Sequence, residues 1–177
     1  MDDQARFDAI YREHGGAVRR YVRRRWDAQS ADDVVADVFV VAWRRLDEVP
    51  DDPLPWLLGV ARRILANRRR GTAREHALLA RMRAERLAQP PPQLARPAAE
   101  GGGAVWRALT ALSEGDREVL LLVAWEGLAP ARAARVLGIG ANTFAVRMYR
   151  ARRRFRRALQ TANGEEQQPP RTTEVMQ

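Results

Sequence analysis

Apolar residues recur every three or four positions through most of the chain, the spacing of one face of an α-helix, and no segment alternates as a strand would. The segment 3–25 carries such a face in Phe7, Ile10, Val18 and Val22. Paired glycines at 15–16 weaken a helix interior, so a kink or division is predicted there. These patterns predict an all-α protein.

A second helix is predicted from Ser30, a residue type that favours the N-cap, to about Leu46. Asp32 and Asp33 lie in its first turn, where carboxylates complement the helix dipole. Its apolar face includes three bulky residues that we expect in the core, namely Val38, Phe39 and Trp43.

Three prolines within residues 49–55 predict a loop, because proline blocks a continuous helix. A third helix is predicted to start near Leu54–Trp56 and to end at about Arg70, before Gly71. Triproline and triglycine within 90–103 then predict a linker. We therefore predict two small helical domains joined by a Pro/Gly-rich linker. Their ranges are 1–71 and 104–160, with a segment 72–103 that is first helical and then flexible, and a disordered tail 161–177.

The segment 127–159 is typical of a helix-turn-helix. Gly138 permits the sharp turn, and Ala133 and Ala134 allow two steeply crossing helices to touch. The second helix has an apolar stripe at Phe144, Met148, Ala151, Phe155 and Leu159. Seven arginines and no acidic residue surround this stripe. Such a helix suits a DNA major groove, and the alternative is a solvated basic helix at the end of an all-α domain.

Charge is distributed unevenly. The net charge is +9, and all 31 basic residues are arginine. Residues 1–71 carry 14 Arg and 12 acidic residues, a net +2, whereas residues 104–160 carry 11 Arg and 4 acidic residues, a net +7. The C-terminal part therefore has the electrostatic character of a polyanion-binding domain.

Several classes of function are excluded by composition and spacing. The chain has no cysteine, and its two histidines, His14 and His76, have no metal-ligand spacing. Adjacent acidic residues do not converge on a helix, and no phosphate-binding glycine motif is present. The N-terminus is unlike a signal peptide, and no apolar run is long enough to span a membrane. We expect a cytoplasmic protein that is not an enzyme and has no catalytic residue, metal or cofactor.

Two motifs carry a family resemblance. The sequence ADDVVADVFVVAWRRL, followed by a loop and WLLGVARRILANRRR, resembles region two of bacterial sigma factors. Residues 109–157 resemble their region four. The order and the short length are similar to the extracytoplasmic-function (ECF) group of the sigma-70 family. The resemblance implies a subunit that binds core RNA polymerase and directs initiation by reading the −35 element as duplex DNA and the −10 element as single strand.

The resemblance also implies roles for individual residues. Docking on the clamp helices of the largest polymerase subunit is assigned to Asp33, Asp37, Arg44 and Arg45. Binding of the −10 strand is assigned to Arg62, Arg63, Asn67, Arg68 and Trp56, although Trp56 also fits a core position. Contact with the −35 element is assigned to Asn142, Thr143, Val146, Arg147 and Arg150, with Arg147 and Arg150 as base readers and Arg132, Arg135 and Arg154 on phosphates.

Members of this group are commonly held inactive by an anti-sigma factor, so the resemblance implies such a partner as well. The alternative function is a stand-alone helix-turn-helix regulator whose N-terminal half senses a ligand or dimerises. A scaffold that binds only proteins is a third possibility, but it conflicts with the arginine-rich C-terminal helix.

Overall fold

The computed structural model describes residues 2–27, 29–82 and 103–166, and all regular structure in them is helical. The helices are α1 (Asp3–Arg23), α2 (Ala31–Arg44), a 3-10 turn (Leu46–Glu48), α3 (Pro53–Met82), α4 (Gly103–Thr110), α5 (Glu114–Ala124), α6 (Pro130–Leu137) and α7 (Ala141–Glu166). The all-α prediction is confirmed. The predicted linker lies almost entirely outside the described residues, as do residues 167–177. Within the described parts of the chain, no helix is long and apolar enough to cross a membrane.

Helix α1 is continuous through the glycine pair at 15–16, so the predicted division was wrong. The side chain of Asp2 caps the helix by accepting from the backbone N–H of Gln4 at 3.4 Å. Helix α2 begins after Ser30 as predicted, but the Ser30 side chain makes no capping hydrogen bond. Its backbone N–H donates instead to Oδ1 of Asp27 at 2.9 Å.

Helix α3 is longer than predicted at both ends. Pro53 begins it and Pro55 lies buried in its first turn, where the missing N–H of proline is not needed for a helical hydrogen bond. The helix also continues through Gly71. A glycine in a helix costs about 1 kcal/mol relative to alanine, which weakens a helix without ending it. Gly71 is not among the glycines with positive φ, so no terminating turn forms there.

Contacts divide the chain into two units. The first contains residues 1–97 and the short segment 131–140, and the second contains residues 98–130 and 141–177. The core of the first unit is formed by α1, α2 and α3. Its fully buried residues include Val18, Tyr21, Val34, Val38, Leu57 and Leu65.

Helix α6 belongs to the first unit by its contacts, whereas the sequence placed it in the C-terminal domain. A close backbone approach accounts for this. A Cβ added at Gly59 would lie only 3.3 Å from the carbonyl oxygen of Val136, so glycine leaves room for α6 beside α3. Helix α6 ends in a glycine turn: Gly138 has φ 66°, and the N–H of Ile139 donates to Ala134 at 3.1 Å.

The second unit packs α4 and α5 against α7. Its core centres on Leu109, Leu112 and Leu121, with Trp106, Trp125 and Phe155 packed around them. The predicted apolar stripe of α7 is buried at Phe144, Met148 and Ala151. Helix α7 also runs through residues 161–166, which were predicted to be a disordered tail. Arg107 donates to the Ala162 carbonyl at 2.9 Å and so ties this extension to α4.

Candidate nucleic-acid interface

The solvent face of α2 carries three of the four residues assigned to docking. Asp33, Asp37 and Arg44 are four and seven residues apart and therefore lie along one stripe of the helix. Val40 lies in the same stripe and is 47% exposed. Val40 is not among the residues predicted for docking, because that prediction rests on polar side chains. The spacing does indicate its exposure, because Val40 follows Asp37 by three residues and so lies on the face of Asp33 and Asp37, not on the buried face.

Trp43 is 46% exposed, so its predicted place in the core was wrong. Its indole meets Phe7 edge-on, with ring centroids 5.2 Å apart and an interplanar angle of 80°. Tyr11, which is also exposed, contacts Phe39 in the same way at 4.7 Å. Helix α1 covers these rings only in part, since Trp43 and Tyr11 both stay nearly half exposed. The result is an apolar surface next to the charged stripe of α2.

Arg45, the fourth residue assigned to docking, follows α2 and pairs with Glu48 of the 3-10 turn. Its Nε donates to Oε1 of Glu48 at 2.9 Å, and a second nitrogen contacts the other carboxylate oxygen. The hydrogen bond and charge of Glu48 raise the pKa of Arg45, and the hydrogen bond from Arg45 lowers the pKa of Glu48. This exposed pair joins the end of α2 to the 3-10 turn that follows it.

The loop before α3 is held by α1. Arg6 donates to the carbonyl of Val49 at 2.7 Å across a separation of 43 residues in the sequence. Val49 is itself buried, so the loop 49–52 is anchored both by the side chain of Val49 and by its backbone carbonyl.

The residues assigned to the −10 strand do not share one face of α3. Trp56, Arg63 and Asn67 are seven and four residues apart and lie along one stripe. Arg62 and Arg68 lie on opposite sides of that stripe. Trp56 is half-buried, and the amide oxygen of Asn67 accepts a hydrogen bond from Arg70. The amide nitrogen of Asn67, which can only donate, takes no part in that hydrogen bond.

Arg68 forms an ion pair with Asp37. One terminal nitrogen of Arg68 lies 2.6 Å from Oδ2 of Asp37, joining α3 to α2. The family resemblance predicts different partners for these two residues, DNA for Arg68 and polymerase for Asp37.

The α6 arginines assigned to −35 phosphates both bind Asp52. Arg132 donates from Nε at 3.0 Å and from a terminal nitrogen at 2.5 Å, and Arg135 donates at 2.6 Å. Burial acts to raise the pKa of Asp52, but the hydrogen bonds and charges of the two arginines outweigh it and the pKa is lowered. The Asp52 carboxylate therefore binds the two guanidinium groups that a phosphate would otherwise contact.

Helix α7 has a continuous exposed stripe opposite its buried one. The stripe contains Asn142, Val146, Tyr149, Arg150 and Arg153, at the spacings expected for one helical face. Tyr149 is 64% exposed and is not among the residues predicted to contact DNA. Its position three residues after Val146 was a usable signal. Thr143 and Arg147 are exposed on the flank of this stripe.

Arg154, also assigned to a phosphate, pairs with Asp116 at the start of α5. Burial acts to raise the pKa of Asp116, but hydrogen bonds from Arg154 and Ser113 and the charge of Arg154 together lower it. Ser113 is a true N-cap, since its hydroxyl oxygen accepts from the N–H of Asp116 at 3.2 Å. This confirms the predicted cap and links it to α7. Among the side chains described, no cluster of His, Asp or Glu could hold a metal ion.

Two family models match the chain. The model described as "Sigma-70 region 2" matches residues 10–75, which span most of α1 and all of α2 and the first part of α3. The model described as "Sigma-70, region 4" matches residues 102–155, from α4 into α7. Because the N-terminal part also matches a sigma-factor region, the alternative of a stand-alone regulator is not favoured.

Named relatives agree with these matches. The RNA polymerase sigma factor NccH of Alcaligenes xylosoxydans xylosoxydans is 28% identical over 90% of this chain and 90% of its own length. The ECF RNA polymerase sigma factor SigL of Mycobacterium tuberculosis is 30% identical over 86% of this chain and 88% of its own.

Solved structures with the same fold include the sigma factor RpoE bound to the anti-sigma factor NepR from Bartonella quintana. It has a TM-score of 0.62 and 22% identity, and the match covers 87% of this chain and 96% of that one. CnrH in complex with the cytosolic domain of CnrY has a TM-score of 0.58 and 29% identity, with 88% of each chain covered. The chain belongs to the sigma-70 family and is an RNA polymerase sigma factor of the ECF group.

Proposed function

We propose that this sigma factor uses three separate surfaces, one to bind core RNA polymerase and two to bind promoter DNA. Docking on the clamp helices of the polymerase largest subunit uses the α2 stripe, in which Asp33, Asp37 and Arg44 supply charge. Arg45, at the end of α2, contributes through its pair with Glu48. Val40 and the adjoining indole of Trp43 supply the apolar contact. Exposed apolar area flanked by charge is typical of a protein-binding site, because the apolar centre contributes affinity and the charges orient the partner.

The second surface, on α3, binds the −10 element as an unstacked single strand. Trp56, Arg63 and Asn67 lie along one stripe, which offers a ring, a cation and an amide in sequence along the helix. Stacking and backbone neutralisation together stabilise a base that has left the duplex. Arg62 and Arg68, on either side, approach the phosphates.

The third surface is the exposed stripe of α7, which enters the major groove of the −35 element. The observation that carries this proposal is that α7 buries one stripe and exposes a second, which is arginine-rich and has no acidic residue. We infer that Asn142, Val146 and Arg150 face the base edges. Thr143 and Arg147, on the flank, are closer to the phosphates. Three further arginines contact the phosphates once their carboxylate partners release them, namely Arg132, Arg135 and Arg154.

The chemistry of RNA synthesis belongs to the polymerase, so this chain contributes recognition and no catalytic group. We place it in the cytoplasm, where polymerase and promoters are found. Two of the solved relatives are named as complexes with an anti-sigma factor or with a cytosolic domain, which supports a protein inhibitor for this chain as well.

Transcription from a randomised promoter library tests the function. Core polymerase is supplied with or without the full-length chain on templates with random −35 and −10 segments, and the transcripts are sequenced. We expect the chain to produce transcripts from templates that share both a −35 and a −10 motif. Transcripts without any shared motif, or tight duplex binding by the chain with no effect on core enzyme, would contradict the proposal.

A further inference from the structure

The exposed stripe of α7 continues past the residues proposed to face base edges. Arg153 follows Arg150 by three residues and Arg157 follows Arg153 by four, so both lie on the same face of the helix. Both side chains are exposed, and neither forms an ion pair with a residue that the structure describes. Arg157 also lies beyond residue 155, where the match to the region 4 family model ends.

The second unit holds this far part of α7 in place. Phe155, which lies between the two arginines in the sequence, packs against the core of the unit. Ala162 is only 4% exposed, and its carbonyl accepts a hydrogen bond from Arg107 of α4 at 2.9 Å. A ligand that binds Arg153 and Arg157 therefore does not have to order the backbone that carries them, which removes one of the costs of binding.

Nothing along this helix neutralises the two arginines. There is no acidic residue between Ala141 and Gly164. Like charges four residues apart on a helix repel each other, so a bound polyanion would relieve the repulsion between Arg153 and Arg157. The remaining segment 165–177 has only three acidic residues and one arginine. Duplex DNA is a much denser polyanion, with one phosphate charge for about every 1.7 Å of its axis.

We propose that Arg153 and Arg157 bind DNA phosphates that flank the −35 element. At about 1.5 Å per residue, the segment from Asn142 to Arg150 is about 12 Å long, which is about the width of the major groove. Arg153 and Arg157 lie about 4.5 and 10.5 Å beyond Arg150, so they reach the sugar–phosphate backbone that borders the groove. This inference rests on the proposed function of α7 and adds a contact that is independent of sequence.

Arg152 provides a matched control on the same helix. It is exposed and carries the same charge, but it lies about 100° around the helix from Arg153 and is therefore off the stripe. Arg152→Ala reports the general effect of removing a cation from α7. Because alanine favours helix more than arginine does, every variant should keep its helix content, which circular dichroism checks.

The test compares holoenzyme, made from the full-length chain and core polymerase, on two promoter templates. In the second template, uncharged methylphosphonates replace the phosphates that flank the −35 element on both sides. We expect wild type and Arg152→Ala to bind this template about three- to tenfold more weakly than the first. The double variant Arg153→Ala/Arg157→Ala should show that loss already on the first template and little further loss on the second. Additive losses would overturn the proposal, because groups that do not interact contribute independently.

The salt dependence gives a second readout. The slope of log affinity against log salt should be smaller by about two for the double variant, one for each phosphate contact that is lost. This change should be the same whatever bases flank the −35 element. A slope equal to that of Arg152→Ala would overturn the proposal. So would a loss of affinity for core polymerase in the absence of DNA, because the two arginines would then bind an acidic protein surface.

The two proposals fail in different ways. If wild-type holoenzyme does not discriminate matched from scrambled −35 elements, the proposed function of α7 fails, and the flanking contact fails with it. If wild type discriminates but the double variant behaves as Arg152→Ala does on both templates, only the flanking contact is overturned.

Discussion

Arg154 of the proposed −35 helix is held by the carboxylate of Asp116, at the start of α5. The same carboxylate receives a hydrogen bond from Ser113, so a helix cap and the DNA-facing helix share one acidic side chain. Asp116 therefore joins α5 to α7 as well as favouring the start of α5.

The first prediction concerns acid stability. The pKa of Asp116 is lower in the folded chain than in the unfolded chain, so its contribution is complete above its ordinary pKa of about 4 and is lost as pH falls through the lower folded value. Asp116→Asn should remove roughly 1 kcal/mol from the free energy of unfolding of the second unit at pH 7. Urea unfolding followed by the indole NMR signals of Trp106 and Trp125 measures this. The difference in the free energy of unfolding between wild type and variant should become smaller below about pH 4. A difference that stays constant with pH would contradict a stabilising role of the ionised Asp116.

The second prediction separates two arginines of α7. Arg150→Ala should cost about 1–3 kcal/mol at the preferred −35 element and much less on other sequences, because the exposed stripe directs Arg150 at base edges. Arg147→Ala should weaken binding to all sequences alike and lower the salt slope by about 1. The measurement is holoenzyme binding to matched and scrambled −35 duplexes. Identical sequence dependence for the two variants would show that the stripe does not define the reading face.

Tyr149 is the third target, because a ring that is 64% exposed contributes little to the core. We expect Tyr149→Ala to leave the thermal midpoint nearly unchanged and to reduce selectivity at the −35 element about tenfold, as loss of one good base contact does. Tyr149→Phe should retain most of the selectivity if the ring face makes the contact. A variant that loses stability but keeps its selectivity would show that Tyr149 stabilises the fold and does not contact DNA.

The fourth prediction tests the apolar part of the docking surface. Val40→Asp introduces a charge where Val40 is 47% exposed, so helix content should be preserved. Affinity for core polymerase should fall at least about tenfold, since a buried unpaired carboxylate is costly at an interface. Val105→Asp, at a residue of similar exposure in α4, provides the control. Equal effects of both variants on core affinity would contradict docking through α2.

The fifth prediction concerns Asp52, which occupies two arginines of α6. Asp52→Asn should raise the affinity of the free chain for duplex DNA of any sequence. It should also steepen the salt dependence by about one or two counterions, because Arg132 and Arg135 become available to phosphates. Asp51→Asn, at the adjacent exposed position, controls for the charge change. An unchanged slope in Asp52→Asn would mean that these arginines do not contact DNA.

Sequence alone determined the parts of this protein that depend on neighbours along the chain. Helical periodicity identified the helices. The Ser113 cap was predicted correctly because its hydroxyl accepts from the backbone N–H only three residues later, which is a local arrangement. Gly138 marked the turn because few residues other than glycine adopt positive φ. The order of the two sigma-like motifs was enough to suggest the family.

Only the tertiary structure decided which side chains meet across helices. Asp37 and Arg68 are 31 residues apart, and Arg132 and Asp52 are 80 apart, so their pairing depends on helix packing that no local pattern encodes. Exposure of Trp43 was likewise decided by how little of its ring α1 covers. A charged residue appears the same in sequence whether it faces a partner or a neighbouring helix, because its solvation is set by the space around it and not by its own chemistry.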